Sequence, residues 1–396
     1  MINFNKEILS IEIQEFIINN INSNLSELIL KGLPFSSEIS SEIINQIEAK
    51  NRCKNKLNTW FETDNIYYPN KLNIEQTSSE ITAKHKASLI KGKSLIDVTG
   101  GFGVDCFYFA KQIESVTHCE LNTDLSKIVN HNNSVFKIEN IDCVAANGID
   151  YIINNDTIYD WIYIDPSRRN DAKGKVFMLS DCLPNVPQHL DNLFEKSNNI
   201  MIKTSPLLDI SLGIKELDFV KEIHCIAVNN EVKELLWILD KGFNQSVKII
   251  TTNIKKDKKS NFEFYLDEEA NATVNYSKPL TYLYEPNSAV LKSGAFNSVA
   301  EQLSVFKLHK HSHLYTSEQL IDFPGRRFKI ETIAPYNKKK FKQQFKLDKA
   351  NFTTRNFPET VAQLRQKLKV KDGGTDYLFF TTDLDNNKIV IHCTKA

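Results

Sequence analysis

No stretch of the 396-residue sequence reaches the roughly 20 consecutive apolar residues that a membrane-spanning helix needs, which argues against insertion into a bilayer. The N-terminus, MINFNKEILSIEIQEF, lacks a small-residue cleavage site and carries acidic residues in its first turns, so no secretory leader is expected. Neither a C-x-x-C pair nor a zinc-type Cys/His spacing occurs among Cys53, Cys106, Cys119, Cys143, Cys182, Cys225 and Cys393. Their odd number and scatter fit reduced thiols in a cytoplasmic protein without a structural metal. Net charge is missing too, because 49 basic residues balance 49 acidic ones. Composition therefore demands neither nucleic acid nor a membrane surface as partner, and a charged partner must be met by a local patch. Nothing in the composition speaks to oligomeric state.

The length allows two or three domains with at least one large core, and the patterning suggests four regions: 1–75, 76–242, 243–323 and 324–396. From Asn5 to about Glu62 apolar residues recur at helical spacing, with a break at KGLPFSSE, where Gly32 and Pro34 end one helix and Ser36 or Ser37 caps the next. After a linker containing Tyr67, Tyr68 and Pro69, Ser78 or Ser79 caps a helix running to about Ile90. Short apolar runs then alternate with helix-length stretches: Ser94 to Val98, Val116 to Glu120, Cys143 to Ala146, Trp161 to Asp165 and Ile200 to Thr204. That is the pattern of a parallel α/β sheet with crossover helices. KEIHCIAV and VKELLWIL, separated by Asn229 and Asn230, form a hairpin, so the last strand should run antiparallel. Beyond Gly242 come polar strand-like pieces around KKDKK, and from Pro324 a compact α+β module with a Lys-rich helix candidate, a helix from about Glu359 to Leu368 and a hairpin turning near Asn386 and Asn387.

The stretch SLIDVTGGFGVD ends a strand in Asp97 and turns through Gly100, Gly101 and Gly103 into a helix whose first N–H groups are free for a ligand. The dinucleotide fingerprint G-x-G-x-x-G/A is only loosely met, since Cys106 stands at its third small position. The spacing of Asp97, Gly101 and Gly103 instead resembles D-x-x-x-G-x-G, the first motif of class I S-adenosylmethionine-dependent methyltransferases. A purely structural turn would look the same in isolation. Glu120 ends the second strand, where an acid accepts from two ribose hydroxyls, and Asn147 follows the third, where the family often has an Asp against the adenine. Read singly, these are a surface acid and a turn-forming Asn-Gly. Together with Asp165 on the fourth strand and the closing hairpin, they make the resemblance to a class I methyltransferase sheet. It implies a Rossmann-like fold and S-adenosylmethionine held around Asp97, Thr99, Gly101, Gly103, Glu120, Asn147 and Asp165. TSSEITAKHKA also resembles the segment before the first motif in trimethylguanosine-synthase-like RNA methyltransferases, which implies that Ser79 and Thr82 lie near the methionine end of the cofactor. The alternative is a capped helix and no more.

YDWIYIDPSRRNDAKG places Asp165, Pro166, Ser167, Arg168 and Arg169 at the exit of the fourth strand, the ligand-binding edge of such sheets. The family carries D/N-P-P-x here in enzymes acting on planar nitrogens, and Ser167 replaces the second Pro. Asp165 is placed to accept a proton or orient an amine. Arg168 and Arg169 suit a phosphate or a base face, or else an exposed ion-pairing turn. Lys203 and Ser205 lie beside the same edge, and the loop SDCLPNVPQ is a candidate wall; its Cys182 is the nearby thiol, with no sign of activation. Between Gly325 and Lys371 fourteen Lys and Arg face three acids, with Phe328, Tyr336, Phe341, Phe345, Phe352 and Phe357 interleaved. This is either a phosphate-backbone surface with stacking aromatics or a solvated Lys-rich face over a phenylalanine core. NFTTRNFPETVAQLRQKLKVKDGGTDYLFFTT looks like the C-terminal THUMP-like domain of bacterial methyltransferases whose middle segment is ferredoxin-like, and YEPNSAVLKSGAF suits that middle segment. The resemblance, from about Gln76 to the end, implies methylation of a nucleobase nitrogen in tRNA or rRNA. A non-catalytic RNA-binding protein of the same fold, or a methyltransferase of small molecules or protein, are the alternatives.

Overall fold

This computed structural model describes residues 4–168, 178–256 and 258–396, with Arg168 described by its backbone alone. Two compact units emerge: Met1–Val220 with Trp237–Phe243, and Lys221–Leu236 with Asn244–Ala396.

In the first unit the helical pattern near the N-terminus becomes a series of short helices and one long one, Ser37–Lys56. Gly32, at φ 74°, stops the preceding helix, and the Ser36 hydroxyl accepts from the Ile39 N–H to start the long one. Ile39, Ile43 and Ile47 recur every four residues on its buried face. They belong to one apolar cluster with Trp60, Phe107 and Tyr163, so these helices cover the outer face of the sheet. Trp60 is central to the seam, its ring 4.8 Å from Phe107 and 5.0 Å from Phe136.

The strands, in chain order, are β1 (Ser94–Asp97), β2 (Ser115–Cys119), β3 (Ile141–Val144), β4 (Trp161–Ile164), β5 (Ser167–Arg168), β6 (Cys182–Leu183), β7 (Asn199–Thr204), β8 (Val220–Val228) and β9 (Glu231–Asp240). Within this unit the order is β3-β2-β1-β4-β7, with the Trp237–Asp240 end of β9 next to β7. The pairs β1/β2, β2/β3, β1/β4 and β4/β7 are parallel. The chain moves one way from β1 to β2 and the other way to β4, so the crevice at the carboxyl ends of β1 and β4 is the topological switch point where such sheets bind ligands. The short pair β5/β6 is antiparallel and brings the predicted wall segment back against the exit of β4.

In the second unit, Asn229 and Asn230 both adopt positive φ, 51° and 65°, the conformation a two-residue hairpin turn requires, so β8 and β9 run antiparallel as expected. The strands after Gly242, β10 (Lys248–Lys255) and β11 (Lys258–Tyr265), extend the edge of β8: β10 pairs parallel with β8, and β11 antiparallel with β10. A further sheet contains β12 (Tyr282–Pro286), β13 (Phe306–Lys307), β14 (Tyr315–Ser317), β15 (Gly325–Pro335), β16 (Asn351–Arg355), β17 (Asp376–Thr382) and β18 (Lys388–Lys395), in the order β13-β14-β12-β15-β18-β17-β16. The parallel neighbours β16 and β17 are joined through the helix Val361–Leu368, begun by a Thr360/Gln363 capping box.

Packing decides between the two readings of the aromatics in the basic stretch. Phe328, Phe341, Phe345 and Phe352 are buried, and Tyr336 and Phe357 pack on Phe380, so these rings build the core and are not a stacking platform. The Lys-rich helix is a single turn, Phe341–Gln344, and Lys338, Lys339, Lys340, Lys342 and Lys346 around it are exposed. Among the described residues no helix is long and apolar enough to cross a membrane.

Candidate functional site

β1 carries Asp97 to the crevice almost fully buried, at 2% exposure. Its carboxylate accepts from the Thr99 N–H (2.9 Å), the Thr99 hydroxyl (3.0 Å) and the Cys106 thiol (3.4 Å). Burial dominates these bonds and pushes its pKa up to about 7. The turn that follows needs glycine, since Gly101 and Gly103 sit at φ 56° and 74°. Among the described residues a Cβ on Gly101 would meet only the Thr99 carbonyl, at 3.7 Å, so they leave this face of the turn open to a ligand.

Below the turn the constraint is of another kind. A Cβ on Gly100 would lie 2.3 Å from Nε2 of His118, which sits on β2 in register with Asp97. His118 is fully buried, burial lowers its pKa, and Nε2–H donates to the Gly101 carbonyl at 3.2 Å. The neutral ring is thus the floor of the glycine turn. Sequence reasoning missed it; the only available signal was a polar side chain inside a buried strand, two residues before Glu120.

Glu120, at the end of β2, accepts from the Gly101 N–H at 3.0 Å and the Asn122 N–H at 2.7 Å, and burial raises its pKa. Asn147 is exposed and caps the helix Gly148–Asn154, its Oδ1 accepting from the N–H groups of Ile149 (3.0 Å) and Asp150 (3.4 Å). The amide nitrogen takes no part in this cap. Gly148 allows the helix to begin against the end of β1, because a Cβ there would lie 2.2 Å from the Val98 carbonyl oxygen.

Ser79 caps the helix Glu80–Ala87, accepting from the Thr82 N–H, and the buried Thr82 hydroxyl donates back to the Ser79 carbonyl at 3.1 Å. Their neighbours carry a network that the sequence did not reveal. Asp105, in the helix Val104–Phe109, accepts from the hydroxyls of Ser78 (2.7 Å) and Tyr163 (3.0 Å) and pairs with Lys86 Nζ at 3.0 Å. Lys86, fully buried, also donates to Ser78 at 2.7 Å. One carboxylate thereby joins the segment before β1, the helix after the glycine turn and β4.

At the exit of β4 the Asp165 N–H donates to Thr99 Oγ1 at 2.7 Å, and its carboxylate takes Lys203 Nζ at 2.8 and 3.0 Å. Pro166 is buried and Ser167 exposed. The backbone of Arg168 pairs with Cys182 across β5/β6, while its side chain and the whole of Arg169 lie outside the described residues. Cys182 is itself buried, its thiol 3.8 Å from the Met178 carbonyl. The structure therefore brings Asp97, Thr99, Gly101, Glu120, Asp165 and Lys203 to one crevice; Ser79 and Thr82 bond each other, and it is their neighbours Ser78 and Lys86 that hold Asp105.

Residues 282–324 match a ferredoxin-like domain family and residues 325–395 a THUMP domain-like family. The whole chain is similar to a solved structure named "putative methyltransferase" from Porphyromonas gingivalis W83, with 31% identity, 100% of both chains covered and a TM-score of 0.91. A Mycoplasma mobile protein named an uncharacterized RNA methyltransferase is 31% identical over 77 residues, which is 19% of this chain and 21% of that protein. The chain thus matches about a fifth of that relative's length.

Proposed function

The chain belongs to the family of that Porphyromonas gingivalis protein, a methyltransferase family with ferredoxin-like and THUMP-like domains, and we propose that it methylates a nucleobase nitrogen in structured RNA, tRNA or rRNA, using S-adenosylmethionine. The observation that carries this reading is the hydrogen-bond chain through Thr99. Its hydroxyl donates to Asp97 beneath the glycine turn and accepts from the Asp165 N–H at the acceptor side, so the two halves of the site are fixed to each other.

The residues present suit the cofactor. The positive-φ turn through Gly101 and Gly103, with room on the Cβ side of Gly101, admits a ligand closely, Glu120 is an acceptor for ribose hydroxyls, and the Asn147 amide nitrogen can meet an adenine edge. When bound, S-adenosylmethionine supplies an electrophilic methyl group on sulfonium sulfur. Asp165 would accept from the N–H of the acceptor base and take its proton, while Lys203 holds that carboxylate in place. Most of the acceleration would come from this positioning. The exposed lysines from Lys338 to Lys346 offer counter-charge for an RNA backbone.

The test is transfer of labelled methyl from S-adenosylmethionine to total RNA, with loss of label in Asp165→Ala. Tight cofactor binding with no labelled RNA under any condition would shift the acceptor to a small molecule or a protein. Retention of RNA binding without either cofactor binding or transfer would leave a non-catalytic RNA-binding protein.

A further inference from the structure

The seam between the ferredoxin-like and THUMP-like segments buries a carboxylate, Glu285 on β12, at 3% exposure. Each of its oxygens is taken by a different arginine. Arg326 on β15 donates Nε–H to Oε2 at 2.6 Å, and Arg355 on β16 donates from a terminal nitrogen to Oε1 at 2.9 Å. The carboxylate orients both guanidinium groups without consuming them, for the Arg326 side chain stays 45% exposed and the Arg355 side chain 33%. Two cations against one anion leave a net positive charge, and polar atoms remain unmatched beside it. Among the described residues, Nε of Arg355 is buried with no hydrogen-bond partner, as is the hydroxyl of Thr381, the residue opposite Arg355 on β17. His313 senses the same field: burial first, then the charges of Lys307, Arg355 and His311, lower its pKa to about 4, so its ring stays neutral.

A pair of planar guanidinium forks held by one buried acid, with N–H groups to spare, suits the oxygens of a phosphate. We propose that Arg326 and Arg355, set by Glu285, form a phosphodiester-binding site that grips the backbone of the RNA substrate. This rests on the RNA reading above and adds a contact to it. RNA is favoured over an acidic protein because the same domain, from Gly325 to Lys371, carries fourteen basic residues against three acids. Those exposed lysines supply diffuse attraction, whereas the arginine pair is built to hold one phosphate in one orientation.

Two measurements on the full chain test this. In filter binding of labelled unfractionated tRNA and of rRNA fragments across a potassium chloride series, the double variant Arg326→Gln/Arg355→Gln should bind about tenfold more weakly at moderate salt. Its log–log salt slope should be shallower by about 1 to 2. Arg326→Lys/Arg355→Lys should keep most of the slope, since it keeps the charge. Arginine-directed modification by phenylglyoxal, read by mass spectrometry on the wild-type chain, needs no variant to fold. RNA should protect Arg326 and Arg355, and inorganic phosphate at the same phosphate concentration should protect them far less. Equal modification with and without bound RNA, or an unchanged slope in a folded Gln pair, overturns the site and leaves the arginines as braces for Glu285. Protection by an acidic polypeptide but not by RNA overturns it in favour of a protein partner. If the wild-type chain binds no RNA at all, the RNA reading itself fails, and this contact with it.

Discussion

Replacing Lys86 by Met is the sharpest probe of what holds the site together. The substitution keeps the length and apolar stem of the side chain and removes the ammonium that faces Asp105 at 3.0 Å. Lys86 has no exposed side-chain surface and that of Asp105 only 10%, so water cannot replace the lost charge. The carboxylate is then left with two neutral hydroxyl donors, Ser78 and Tyr163. Stranding one partner of a buried ion pair costs about 3–5 kcal/mol. The assay follows from the distribution of tryptophan: Trp60, Trp161 and Trp237 all lie in the first compact unit, so their fluorescence in urea reports the unfolding of that unit alone. For a denaturant slope of about 2–3 kcal/mol per molar, the midpoint of Lys86→Met should fall by roughly 1–2 M. Adding Asp105→Asn neutralises the stranded charge while leaving an amide oxygen for the two hydroxyls, so the double variant should recover most of the loss, with a coupling of at least about 2 kcal/mol. A Lys86→Met loss below about 1 kcal/mol, or strict additivity in the double variant, would refute the reasoning. On the proposal that Ser79 and Thr82 lie near the methionine end of the cofactor, the same variant should also weaken S-adenosylmethionine binding, because Ser78 and Lys86 tie their segment to Asp105.

At the acceptor side, Asp165→Asn should lower methyl transfer by about 10²–10⁴-fold while changing cofactor affinity, measured by calorimetry, only a few-fold; Lys203→Met should lower transfer less. Gly100→Ala should destabilise the first unit by about 1–3 kcal/mol through the clash with the His118 ring, and the added substitution His118→Ala should relieve the clash in the same urea assay. Asp97 has a folded pKa of about 7, above its ordinary value of 3.8, so the folded state holds its proton more tightly than the unfolded chain does. The stability this contributes is fully present below about pH 4 and lost as pH rises through about 7, so Asp97→Asn should flatten the change in tryptophan-detected melting between pH 5 and pH 8. Asn147→Asp should preserve the helix cap and hence stability, yet alter cofactor affinity, because it replaces an amide donor by an acceptor. An unaltered affinity would remove Asn147 from the cofactor site and leave it as a cap.

The parts of the site that could be read from sequence are those where chemistry coincides with punctuation. Asp97, Gly101, Gly103, Glu120 and Asp165 stand where apolar runs stop, so the sheet that orders the runs also orders these residues, and its carboxyl edge gathers them. Lys203 was visible for the same reason, but its pairing with Asp165 was not, since strand order in space joins positions 38 apart in sequence. His118 and Lys86 fail the same criterion from the opposite side. Lys86 belongs to TAKHKA, where a helix rich in charge reads as a solvated face, and only a carboxylate arriving from the next helix makes its burial tolerable. His118 reads as a polar interruption of a strand, and its role appears only when two glycines are folded over its ring. In the basic C-terminal stretch the residue types were visible and their division of labour was not: lysines stay outside because burying a charge without a partner is costly, and the phenylalanines go inside because the seven-stranded sheet needs filling in two clusters, Phe328 in one and Phe341, Phe345 and Phe352 in the other. Asn147 shows why such ambiguities do not resolve by choosing one role. Its carbonyl oxygen closes the helix that begins at Gly148, and its amide nitrogen takes no part in that cap. A side chain with separate donor and acceptor ends can brace the scaffold with one and meet a ligand with the other, so the cap does not by itself exclude the cofactor contact proposed for Asn147.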